Sequence, residues 1–230
     1  MKVFKIITNV AMFIAGYFLA CAVAFGQDGY EGHRHGETLA EERARIDAQK
    51  TRFAYLPQHN GPMFDGVCRL SVDGKQWSGV AISSTQILTV GHHGETGIVR
   101  AEFVGLKSDE SIGISAKILK THKLADLSLL EYKCPSWAAV RSYPVSRKTF
   151  KRVKIRGFTS DILRELDVDL LRSDTVVDGF KVHTFKGKAW SGMSGSGALV
   201  DGETVGIQFG GNRDSIDAVT VETIQMFLKE

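Results

Sequence analysis

From Gly66 to Val219 the chain is a succession of short apolar or alternating runs broken by Gly, Asp and Ser, and this punctuation limits the possible folds more than any other feature. The runs are Gly66–Val72, Gln76–Ser83, Gln86–Val90, Ile98–Phe103, Ile114–Leu119 and Leu127–Tyr132. After them come Val153–Gly157, Leu166–Leu171, Phe180–Phe185, Ser196–Val200, Thr204–Phe209 and Ile216–Val219. Short runs with regular turn signals predict an all-β barrel or sandwich. Twenty-four glycines against four prolines fit a chain of many turns. Pro135 to about Thr149 has no clear period and reads as a connector, so two sets of about six strands suit two antiparallel barrels. The first would span about 61–135 and the second about 150–220. Glu222 to Lys229 carries Ile224, Phe227 and Leu228 at helical spacing, which predicts a closing helix.

Residues 1–26 read as an export signal. Met1-Lys2-Val3-Phe4-Lys5 is a basic head, Ile6 to Phe25 is mostly apolar, and Ala22-Val23-Ala24 and Ala24-Phe25-Gly26 place small residues before Gln27. The stretch is also long enough for an uncleaved membrane anchor through residues 6–25. Asn9 and the small-residue exit favour cleavage, so the expected location is secreted or periplasmic. Leu19-Ala20-Cys21 has the outline of a lipoprotein site, but Phe18 suits its start poorly. Residues 27–60 read as a polar segment or propeptide, disordered to about Gly36 and then a charged helix. That helix runs from the capping box Thr38-Leu39-Ala40-Glu41 to about Phe53, with Leu39, Ile46 and Phe53 along one side. His33 and His35 have no further ligands nearby, so neither a metal nor a cofactor is expected.

The formal charge is +3, and without Lys2 and Lys5 only 27 basic residues face 26 acidic ones. So balanced a surface has no electrostatic reason to hold nucleic acid or an anionic membrane. The basic run from Arg147 to Arg156 alternates in Val153-Lys154-Ile155-Arg156 and reads as a solvated strand face. Beyond Cys21 only Cys68 and Cys134 remain. Export permits a disulfide, but nothing in their spacing makes them neighbours.

Three places along the strands carry chemistry. Gly192-Met193-Ser194-Gly195-Ser196-Gly197 is a tight turn that can expose a serine hydroxyl while backbone N–H groups converge on one point. Ile87-Leu88-Thr89-Val90-Gly91-His92 is an apolar strand ending in small residues and a histidine. Asp126-Leu127-Ser128-Leu129-Leu130 is an aspartate opening another strand. Alone, each has an ordinary structural explanation: a strand end, a turn, a Gly/Ser loop. Together their order, His then Asp then Ser, makes His92 a candidate base, Asp126 its orienting carboxylate and Ser194 the nucleophile. His93 is an alternative base, and Ser191 and Ser196 are alternative nucleophiles.

These motifs resemble the chymotrypsin-like (trypsin-like) serine peptidases. Leu88-Thr89-Val90-Gly91-His92 is similar to that family's Leu-Thr-Ala-Ala-His, and Asp126-Leu127-Ser128-Leu129-Leu130 to its Asp-Leu-Ala-Leu-Leu. Gly192-Met193-Ser194-Gly195-Ser196 and Val205-Gly206-Ile207-Gln208-Phe209-Gly210-Gly211 resemble Gly-Asn-Ser-Gly-Ser and Gly-Ile-His-Trp-Gly-Gly of the glutamyl endopeptidase and exfoliative toxin branch. The resemblance runs from about Phe64 to the closing helix and implies two six-stranded barrels of chymotrypsin type as a peptidase domain over 61–230. It implies an oxyanion hole from the amides of Gly192 and Ser194, and a substrate strand along Gln208, Phe209 and Gly210. The partner would be a peptide or protein, and the protein a monomer.

Three departures from the family pattern bear on function. Met193 replaces the aspartate that pairs with a freed N-terminus in trypsin-like zymogens, so that mode of activation is not expected. His93 replaces a cysteine of the animal enzymes. Gln208 and Ala189 stand where glutamyl endopeptidases hold a glutamate side chain with a histidine and a hydroxyl, so glutamate preference does not follow. Lys188 either lies at the pocket base, favouring an acidic residue, or points to solvent. The expectation is a secreted serine endopeptidase. The alternatives are a catalytically idle relative that binds a partner in its cleft, or a virus-type polyprotein-processing protease.

Overall fold

The structure, a computed structural model, describes residues 61–94, 97–107 and 109–230. The expected signal, the polar segment with its helix, His33, His35 and Cys21 lie outside the described residues. The strands are β1 (Met63–Val72), β2 (Lys75–Ala81), β3 (Gln86–Thr89), β4 (Ile98–Gly105), β5 (Ser111–His122), β6 (Leu127–Tyr132) and β7 (Ala139–Val140). A second set follows: β8 (Arg152–Thr159), β9 (Ile162–Val177), β10 (Phe180–Lys186), β11 (Gly197–Val200), β12 (Glu203–Gly211) and β13 (Ser215–Thr220). The helix α1 (Val221–Lys229) closes the described chain.

Period-two patterning makes the first barrel. In β5, Ile112, Ile114, Ala116 and Ile118 are buried while Ser111, Gly113, Ser115 and Lys117 face out. Paired antiparallel with β4, this stripe meets Val99, Ala101 and Phe103. β1 pairs with both β2 and β4, so the order β1-β2-β3-β6-β5-β4 returns to its start and leaves no open edge. Leu70, Ile87, Leu88, Phe103, Leu127 and Leu130 fill it. The second barrel closes as β10-β13-β12-β11-β8-β9 around Ile155, Phe185, Met193 and Ile216. The expected pair of six-stranded antiparallel barrels is the observed architecture. Cys68 and Cys134 are free thiols.

The strands differ from expectation chiefly in length. β9 runs from Ile162 to Val177, well beyond Leu166–Leu171, and its last seven residues are exposed. There neither face is apolar, so periodicity gives no strand signal. The ladder to β10 holds the ribbon instead, closed by the two-residue turn Asp178-Gly179 with both φ angles positive. The connector hides one more strand, β7, parallel to β1.

Polar contacts lock the barrels together. The Asp65 carboxylate on β1 is buried; it accepts from the Val67 amide (2.8 Å), from the Tyr143 hydroxyl and from Arg156 Nη2 on β8 (2.7 Å). Arg156→Met leaves that buried charge without its cation. The expected loss is about 3 kcal/mol of stability, read as a lower urea midpoint at unchanged slope. α1 adds an apolar tie. It starts at the N-cap Thr220 and buries Val221, Ile224 and Phe227, and Lys120 of β5 lies 4.5 Å over the Phe227 ring. Each fully buried side chain of this size contributes about 1.5–3 kcal/mol. Among the described residues no helix is long and apolar enough to cross a membrane.

Candidate active site

Val90-Gly91-His92 continues straight out of β3. Gly91 sits close to the neighbouring strand: a Cβ there would stand 3.1 Å from Thr121 Cγ2 and 3.2 Å from the Leu127 amide where β6 begins, tighter than ordinary contact. Asp126 precedes β6 in a left-handed conformation (φ 51°) that turns its carboxylate back towards β3. Its Oδ1 accepts from the amides of Gly91 (3.0 Å) and His92 (2.8 Å), and its Oδ2 pairs with His92 Nδ1 at 2.7 Å. With Nδ1 donating to the carboxylate, Nε2 is left as the acceptor. The imidazole is 42% exposed and the carboxylate 22%.

The Gly192–Gly197 turn is built on positive φ at Gly192 (88°) and Gly195 (87°). The amides of Met193, Gly195 and Ser196 are all engaged, by the carbonyls of Trp190 (3.2 Å), Gln208 (2.7 Å) and Met193 (2.8 Å). The amides of Gly192 and Ser194 donate to no acceptor among the described residues. Met193 itself is fully buried in the second barrel's core. Gly195 has no room for a side chain, since its Cβ would lie 2.0 Å from the Ser78 carbonyl oxygen and 2.4 Å from Thr89 Oγ1. Gly195→Ala is expected to cost about 2–5 kcal/mol by thermal unfolding, from the collision and the strained φ together.

Ser78 has no sequence signal and Thr89 stands out only as part of the His92 motif, yet together they set this turn against the first barrel. The Ser78 amide donates to the Ser194 carbonyl (2.8 Å) and its hydroxyl to the Gly192 carbonyl (3.0 Å), while Thr89 Oγ1 donates to the Ser78 carbonyl (2.6 Å). Thr89 lies three residues before His92, so one chain of bonds links the serine turn to the strand that presents the histidine. Among the described residues no hydrogen bond joins Ser194 Oγ to His92. Ser194 is half-buried; Ser196 is fully buried with its hydroxyl unpartnered, and Ser191 is exposed. Among the described residues no carboxylate hydrogen-bonds to His93. Its ring lies between Trp77 (4.8 Å) and His92 (4.0 Å), and burial followed by the neighbouring His92 pushes its pKa down to about 4.

The remaining expected residues surround the turn unevenly. Lys188 is exposed and its ammonium stands 4.2 Å over the Trp190 ring. Ala189 donates its amide to the Asn212 carbonyl (2.9 Å). Gln208 is buried; its backbone is engaged by Gly195 and Ser196, and its Oε1 has no partner among the described residues. The ladder between β12 and β13 slips between Gln208 and Gly210, which leaves Phe209 at a bulge. Phe209 lines a hollow of about 220 Å³ with Leu124, Asp126, Val177 and Phe180. No group of His, Cys, Asp or Glu among the described residues could hold a metal ion.

No family model and no curated protein matches this sequence. Solved structures do match in fold. The active form of the Rv3671c protease from M. tuberculosis is 16% identical with a TM-score of 0.56, over 71% of this chain and 79% of that one. A serine protease of human pathogenic astrovirus is 15% identical with a TM-score of 0.53, over 67% and 88%. Human heparin binding protein is 14% identical with a TM-score of 0.55, over 71% and 89%. The chain thus has the double-barrel fold of the chymotrypsin-like serine proteases.

Proposed function

We propose that this protein is a secreted or periplasmic serine endopeptidase that cleaves peptide or protein substrates through an acyl-enzyme. His92 is the base, Asp126 its orienting partner and Ser194 the nucleophile. The observation that carries the reading is the 2.7 Å contact of Asp126 Oδ2 with His92 Nδ1, which orients the ring so that, in the tautomer with Nδ1 donating, Nε2 is the acceptor. The two uncommitted amides of the serine turn support it. Ser194 Oγ attacks the scissile carbonyl carbon while its proton passes to Nε2. The new oxyanion takes hydrogen bonds from the Gly192 and Ser194 amides, and losing one such donor costs about 3 kcal/mol. As the C–N bond breaks, the imidazolium returns its proton to the leaving amine; water then repeats the sequence on the acyl ester. Nucleophile and base are commonly apart before substrate binds, closing only in the complex.

Substrate backbone would lie along Phe209 and Gly210, with Ala189 and Gln208 beside the side chain next to the cut bond. Residues 1–26 would direct export, and the peptidase domain would span 61–230. The test is a fluorophosphonate probe followed by mass spectrometry, together with hydrolysis of a diverse peptide library. An adduct on Ser194 and a defined cleavage pattern are expected; no adduct at any serine overturns the reading. A second reading, a binding module without catalysis, draws on the missing Ser194–His92 bond and the fold shared with a heparin binding protein. It predicts that same absence of an adduct.

A further inference from the structure

A file of stacked rings runs from the first barrel to the histidine of the site. Trp77 on β2 is anchored in the core at 2% exposure. Its indole stacks on His93 at 4.8 Å with 27° between the planes, and His93 lies 4.0 Å from His92, tilted by 55°. We propose that His93 is a positioning residue, a flat wedge braced on Trp77 that keeps the His92 ring from swinging away from the serine turn. The inference rests on His92 being the base, and adds a role for its neighbour.

The need for a wedge follows from how little else holds the ring. Among the described residues one side-chain hydrogen bond, Nδ1 to Asp126, ties His92 down, and that bond permits rocking about its own axis. The hollow of about 430 Å³ beside the ring is lined by Gly91, Gly94 and Lys123 with His92, His93 and Asp126, so among the described residues no ring other than His93 lines it beside His92. Proton transfer tolerates misplacement of only a fraction of an ångström. His93 can brace without interfering. Among the described residues the charged and titratable groups around it are His92, Asp126, Lys75 and Lys123. Because burial and His92 push its own pKa down to about 4, its ring is neutral at neutral pH. It therefore adds no positive charge to oppose the imidazolium as that forms.

The test compares His93→Ala with His93→Phe. Alanine removes the wedge; phenylalanine restores a flat neutral ring. His93→Ala is expected to lower kcat and the fluorophosphonate labelling rate about tenfold with KM within twofold, the size expected from one lost aromatic contact. His93→Phe should return both to within about threefold of the parent. The low-field proton resonance of His92 Nδ1–H should broaden in His93→Ala and stay sharp in the other two. Should alanine cost the fold, by its urea midpoint, His93→Leu is read in its place, since it fills the volume without a flat face. Unchanged rates with a sharp resonance in His93→Ala, or equal damage in His93→Phe, overturns the wedge. A parent protein that neither labels nor cleaves sinks the peptidase reading instead, while the resonance still decides whether His93 orders the ring.

Discussion

Ser194→Ala is expected to lower kcat/KM for the best library peptide by at least about 10⁴-fold, with the thermal midpoint unmoved. The loss is large because the hydroxyl is the atom that forms the covalent bond, and no neighbour can replace it. Ser196 is sealed in the core, and Ser191 lies exposed outside the turn between Gly192 and Gly195. Whatever rate survives comes from the two amides of the turn acting on a carbonyl attacked by water. Stability should not change, since the Ser194 side chain bonds no described residue; what ties the turn to Ser78 is its backbone carbonyl. Ser196→Ala is the control and should stay within about threefold of the parent. Equal loss in both variants would mean that the turn fails by misfolding and not by losing a nucleophile.

Asp126→Asn should lower kcat at neutral pH by about 10⁴-fold. Asp126 uses both oxygens: Oδ1 accepts two backbone amides, from Gly91 and His92, and Oδ2 accepts the ring N–H. An asparagine must spend its single oxygen on one of these demands. If the oxygen stays with the amides, its NH₂ faces Nδ1 and favours the tautomer with the proton on Nε2, which cannot take the serine's proton. The fold should survive, because the amides keep their acceptor and the site is partly solvated. Circular dichroism and the urea midpoint check that survival, and steady-state kinetics read the loss. A variant with near-parental kcat would show that this carboxylate does not govern the histidine, and the assignment of His92 as base would go with it.

The two largest effects thus lie on side chains from both barrels, and the connection between them is indirect. Ser78 bonds the carbonyls of Gly192 and Ser194, and Thr89 bonds Ser78. Neither side chain touches the reacting atoms, so both belong to the frame that sets their distance. The same division appears at Asp65 and Arg156, a buried carboxylate and a half-buried guanidinium that span the barrels.

What could be read along the chain was whatever repeats or stands in local order. Period-two alternation marks the strands of both barrels, as in Ile112, Ile114, Ala116 and Ile118, because each strand meets the core with one face. The Gly-Ser turn and the two strand-end motifs are legible because their chemistry demands particular residues at adjacent positions. Strands without an apolar face gave no such signal: the outer half of β9 is held by its ladder to β10, and β7 by pairing with β1 across more than 70 residues of chain. Only tertiary structure could join Asp126 to His92, stack His93 on Trp77, bury Gln208 and lay Lys188 over Trp190. Hydrogen bonds and ring contacts act over a few ångströms of space, and the partners that satisfy them are strangers in sequence until the barrels close.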